Sequence, residues 1–146
     1  MEKPYAQSFK NHARLVPAFH FFVLPMLLAN VIYRLIQLKN GISFGSIWAA
    51  LFAIALFVFA GMARTFALSV QDRLICLETQ TRMEKLLPAE LRPRIVEFTP
   101  NQLIALRFAS DAELPSLAQQ VLDEKIADRK TIKSRVKNWR PDYMRA

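Results

Sequence analysis

Two uncharged apolar runs follow one another in the first half of the chain, residues 15–33 and 41–63, and nothing else in the sequence restricts the fold as much. A spanning helix needs about 20 apolar residues, and the second run, coiled as a helix, reaches roughly 35 Å at 1.5 Å per residue. A water-soluble core rarely uses two such runs in succession. The pair predicts two membrane helices, with the lipid bilayer as the chain's first partner. Lys3, Lys10 and Arg14 precede the first run, as in a signal peptide. No small-x-small cleavage site follows it, however, and Arg34 comes directly after, so the run is expected to be retained.

The bases set an expected orientation. Three lie before the first run, Arg34 and Lys39 lie between the runs, and fifteen lie after the second. Positive residues stay on the cytoplasmic side, so both termini are expected inside. In a bacterium that means a multi-pass protein of the inner membrane. Lys39-Asn40-Gly41 is a turn signal that would close the two helices into a hairpin. Tyr33 and Trp48 fall near its outer end, where interfacial aromatics belong.

The second helix is not expected to stop at the membrane. The stretch 64–87 contains neither glycine nor proline and is rich in good helix formers. The expected fold is therefore all-α: a transmembrane helical hairpin, its second helix extended into a cytoplasmic stalk, followed by a small bundle of short helices. In residues this is an N-terminal cytoplasmic segment at 1–14, a first transmembrane helix at 15–38 and an outer turn at 39–45. A second helix with its stalk follows at 46–87, then a small basic helical region at 88–146.

One seam on the second helix has alternating spacings of three and four. It runs through Ser46, Ala49, Ala53, Leu56, Ala60, Ala63, Ala67, Val70, Leu74, Leu77 and Thr81. Its upper residues are small, which lets helix backbones approach closely in lipid. Lower down it becomes Val and Leu, where burial from water contributes. Two readings stay open: the seam faces the chain's own first helix and then its own tail, or it serves a second copy or another protein partner.

After Pro88 the signals are those of short helices. Thr99-Pro100-Asn101-Gln102 combines an N-cap, a proline at the first helical position and a residue that can close a capping box. Ser110 to Glu113 repeats that signature. The last helix is expected to start near Asp128 and to run to Pro141. Ile132, Val136 and Trp139 would lie buried on one side, and Lys130, Lys133, Lys137 and Arg140 on the other. With a net charge of +8, that basic stripe is either a solvated face or an anion-binding one. Anionic lipid is the natural anion for a tethered stripe. Nucleic acid fits less well, because no aromatic platform or reading motif accompanies the charges.

Little in the sequence carries chemistry. His20 and Asn30 are the polar residues of the first run; His20 reads as an interfacial histidine, and Asn30 as a hydrogen-bonding residue across the hairpin. The one cysteine, Cys76, reads as a packing residue, with no histidine near it in sequence. No P-loop or dinucleotide motif is present. Neither an enzyme activity nor a metal or other cofactor is expected.

Four stretches, at 7–12 (QSFKNH), 67–78 (ALSVQDRLICLE), 103–114 (LIALRFASDAEL) and 138–143 (NWRPDY), resemble a small family of uncharacterised two-span bacterial membrane proteins. The resemblance covers nearly the whole chain and implies a bacterial source and an inner-membrane location. It brings no established activity and no site residue. The sequence is read as a membrane-anchored interaction or scaffold module, such as a small subunit of an inner-membrane complex. The alternative is a membrane-tethered binder of anionic lipid or nucleic acid acting through the last helix.

Overall fold

The structure, a computed structural model, describes residues 15–142. Residues 1–14 and 143–146 lie outside them, and with them Lys3, Lys10, Arg14, the stretch 7–12 and Tyr143. The described chain is helical, without a strand; its one β-type pairing is an isolated bridge between Ala109 and Trp139. Two compact units divide between Leu68 and Ser69, inside the longest helix.

The first unit holds α1 (Leu24–Gln37) and the upper part of α2 (Phe44–Leu86). A π-helical segment, Ala18–Val23, leads into α1, and its end is marked by the Leu24 N–H bonding to the Phe19 carbonyl five residues back. Pro25 explains it: a proline has no N–H for an i−4 bond, and a wider turn relieves the clash of its ring with the preceding carbonyls. After α1, a 3₁₀ turn at Leu38–Asn40 ends at Gly41, with φ 154° and ψ 127°. That conformation strains any residue with a Cβ. Ser43 and Ser46 then cap α2 reciprocally: Ser46 N–H donates to Ser43 Oγ at 3.1 Å and Ser43 N–H to Ser46 Oγ at 2.8 Å.

Both candidate spans, Ala18–Asn40 and Phe44–Leu86, are long and apolar enough to cross a membrane. Their large side chains point outward: Phe21, Phe22, Trp48, Phe52 and Phe59 are all more than half exposed. Inside this unit only Ala50 and Ala53 of α2 are fully buried. On α1, Leu24, Leu27, Asn30, Val31 and Arg34 form one half-buried face.

The second unit is a small water-type core. It packs the lower turns of α2 with a 3₁₀ segment (Arg92–Glu97), α3 (Pro100–Leu106), α4 (Leu114–Asp123) and α5 (Arg129–Arg135). Met83, Leu87, Leu106, Leu114, Val121 and Ile132 lie at its centre, each at most 2% exposed. The capping box at the start of α3 forms as its spelling predicts, with Thr99 accepting from Gln102 N–H and Gln102 Oε1 accepting from Thr99 N–H at 2.8 Å. The amide end of the same Gln102 donates to Ile126 O at 2.9 Å, so one buried side chain both caps a helix and holds a distant loop.

The second capping signature is only half used. Glu113 N–H reaches Ser110 Oγ at 3.3 Å. The Glu113 carboxylate does not return to Ser110; it accepts the backbone N–H groups of Lys137 and Asn138 at 2.8 and 3.0 Å. That same contact corrects the expected length of the last helix. Asp128 does cap its start, accepting from Thr131 N–H at 2.8 Å, but α5 ends at Arg135 and Val136 is extended. From there the chain pairs with residues 108–110, through Ser110 N–H to Asn138 O and Arg140 N–H to Phe108 O.

Candidate functional site

The lower turns of α2 offer two apolar stripes, and the second unit buries only one of them. Ile75, Thr79, Met83 and Leu87 turn inward. Val70, Leu74 and Leu77, the lower part of the expected seam, are 69%, 54% and 60% exposed, and Thr81 is exposed with them. The reading in which this part of the seam faces the chain's own tail is therefore overturned. In the first unit, Ala53 is buried and Ser46, Ala49 and Ala60 are half-buried, while Leu56, Ala63 and Ala67 are exposed.

The inward face is held by Arg82. Its Nε lies 2.6 Å from Asp111 Oδ1, and its other two nitrogens donate to Arg107 O at 3.2 Å and Ala109 O at 2.6 Å. No spacing in the sequence singles out this residue, because its partners lie 25 to 29 residues away. Arg129, the first residue of α5, lies 3.8 Å from Asp72 and adds a tie between α5 and the stalk. Cys76 is half-buried, with Sγ 3.9 Å from Pro100 O. Burial, and then the negative Asp72 one turn away, push its thiol above the ordinary range. It packs against the core of the second unit, and the raised thiol holds less of the nucleophilic thiolate at neutral pH.

The four bases expected on one helical face are dispersed. Lys130 and Lys133 lie on α5, but Lys137 and Arg140 follow its end. Lys133 sits over the Phe108 ring, its Nζ 5.2 Å from the centroid. Arg140 reaches to 3.6 Å from Asp111. Trp139 is not buried on the helix as expected: it is half-buried beyond it, its ring centroid 4.6 Å from that of Phe108. Ile132 and Val136 are buried as predicted.

An open cleft of about 460 Å³ lies beside α4 and is lined by Glu113, Gln120, Ser134, Arg135 and Lys137, among others. Its acid, Glu113, already has both oxygens occupied by backbone N–H groups. This arrangement uses the Glu113 carboxylate to close a loop. In the first unit, the His20 ring nitrogen Nδ1 lies 2.9 Å from Val16 O and accepts from Val16 N–H at 3.1 Å. The ring is thus tied to its own helix start. Asn30 makes no side-chain hydrogen bond across to α2 among the described residues, contrary to expectation. No group of three or more potential metal ligands occurs among the described residues.

A family model described as "Family of unknown function (DUF6526)" matches residues 1–146. No curated protein and no solved structure matches the chain.

Proposed function

The chain belongs to that family of unknown function, and on that premise we propose that it is a membrane-anchored interaction module. Its two apolar helices cross a bacterial inner membrane as a hairpin with both ends in the cytoplasm, and they hold the small helical unit at the membrane surface as a docking part for other proteins. The observation that carries the reading is the contrast in burial between two parts of one chain. None of the most apolar window of Ala18–Asn40, and 11% of that of Phe44–Leu86, is buried. An equally apolar core helix of a soluble protein would be mostly covered. The second unit, by contrast, buries its leucines and isoleucines as a water-exposed domain must.

Details at the turn support the same placement. Tyr33, Phe44 and Trp48 crowd the end where the helices meet the short connection, with Phe44 and Trp48 stacked at 6.5 Å. Arg34 lies 5.6 Å from the Tyr33 ring centroid and bonds Gln37, a polar group suited to a headgroup layer. The lipid-binding or nucleic-acid-binding alternative loses support, because the four bases do not lie on one helix and two of them are engaged by Phe108 and Asp111.

The test uses the full chain in cells. After an alkaline carbonate wash the protein should stay with the membranes. In a Cys76→Ala background, a membrane-impermeant thiol reagent applied from outside should label Asn40→Cys and not Ser134→Cys. Release by the wash would overturn the membrane reading, and labelling of Ser134→Cys in intact cells would overturn the orientation.

A further inference from the structure

We infer that the exposed stripe Val70, Leu74 and Leu77 is the seam of a parallel, in-register dimer of this chain, formed by the stalk part of α2. The inference rests on the membrane-anchored reading above and names the partner: a second copy.

The stripe has heptad spacing, with Val70 and Leu77 at d and Leu74 at a. In that register, Asp72, Ile75, Cys76, Thr79, Arg82 and Met83 all fall at b, c and f, the positions turned away from a coiled-coil partner. From Val70 on, they make up most of the stalk's buried or half-buried residues. Gln71 at e, Gln80 and Leu87 at g and Leu86 at f are the others, while every a and d position from Val70 to Glu84 is exposed. The fold therefore packs mainly on the side of the helix away from a coiled-coil partner, and leaves the a and d positions themselves uncovered. Three large apolar side chains in water on that free side cost solvation that a partner would relieve.

The charges identify the partner as the same chain. Arg73 stands at g and Glu78 at e, five residues on. In a parallel dimer a g residue meets the e residue of the following heptad on the other helix, so Arg73 of each copy meets Glu78 of its neighbour, twice by symmetry. Both side chains are exposed, and neither has an ion pair among the described residues. An antiparallel arrangement would set g against g and e against e, bringing like charges together. Two heptads are too short to associate from dilute solution on their own. Chains inserted in one bilayer face the same way and are confined to a plane, which supplies the parallel orientation and raises the effective concentration.

The experiment is disulfide crosslinking of the full chain in native membranes, in a Cys76→Ala background. Val70→Cys and Leu77→Cys should each give a crosslinked dimer, whereas Ser116→Cys, exposed on α4, should not. Both seam positions can meet themselves only if the helices are parallel and in register. Arg73→Glu should lower the dimer-to-monomer ratio at Leu77→Cys by about fivefold, since two attractions become two repulsions. Adding Glu78→Arg in the same chain should restore it, and a seam made for a different protein would show no such rescue. Membrane-integrated chain that fails to crosslink at both positions, or a double swap without rescue, overturns the dimer while leaving the membrane reading intact. Loss of the chain to the carbonate wash strikes the membrane reading instead.

Discussion

Arg82 and Asp111 meet across 29 residues of chain, guanidinium Nε to carboxylate Oδ1 at 2.6 Å, but the two ends of this pair do not carry equal weight. The Arg82 side chain is 13% exposed and also donates to two backbone carbonyls, whereas Asp111 is 65% exposed. Arg82→Ala removes a charged donor from two carbonyls at once and should destabilise the second unit by about 2–3 kcal/mol. Asp111→Ala removes a solvent-screened partner and should cost less than about 1 kcal/mol. Denaturant unfolding of the purified chain in detergent compares the two; equal losses would mean the ion pair, not the carbonyl contacts, does the holding.

Ala53 is 1% exposed and its neighbour Ile54 is 39% exposed. Ala53→Phe forces a ring into a fully buried position and should cost about 1–3 kcal/mol. Ile54→Phe points outward and should change stability by less than about 0.5 kcal/mol. Thermal stability in detergent reads the difference, and equal tolerance of both would remove the case for a packed face on the upper part of α2.

Lys125 follows α4 with φ 51°, a left-handed conformation in a residue with a Cβ. Ile126 N–H bonds Val121 O at 3.0 Å across it, closing the helix end in the manner that glycine usually serves. Lys125→Gly should therefore stabilise the unit by about 1 kcal/mol. Glu124→Gly should not, because Glu124 is right-handed and holds Arg135 at 2.7 Å. A neutral or destabilising Lys125→Gly in the same unfolding assay would contradict the strained cap.

Cys76 should alkylate slowly. Burial first, and then Asp72, raise its thiol above the ordinary range, so at neutral pH less of the reactive thiolate is present than in an unfolded chain. The sign is the testable part: the reaction with iodoacetamide should be slower in the folded protein than in the denatured one, and should speed up with pH over a higher range. Faster alkylation in the folded state would assign Cys76 an activated environment instead.

What the residues determined alone is what acts within a few turns of chain. The length and apolarity of the two long helices, the Thr99–Gln102 capping box and the Asp128 cap all follow from groups three or four residues apart, and all are in the structure. The choice between two apolar stripes on the lower α2 did not follow. Leu74 and Ile75 are adjacent and similarly apolar, and only the docking of α3–α5 puts Ile75 inside and leaves Leu74 out. A strict alternation of three and four also drifts about 20° per heptad around an α-helix, so a seam traced from Ser46 to Thr81 cannot stay on one side of it. The stop of α5 was equally beyond the sequence. Residues 136–140 carry the spacing of a helix, but the Glu113 carboxylate, 24 residues away, takes two of their N–H groups, and Phe108 and Ser110 take the chain into a bridge. Local capping and propensity are worth about 1 kcal/mol, and non-local burial and hydrogen bonding outweigh them wherever the two compete.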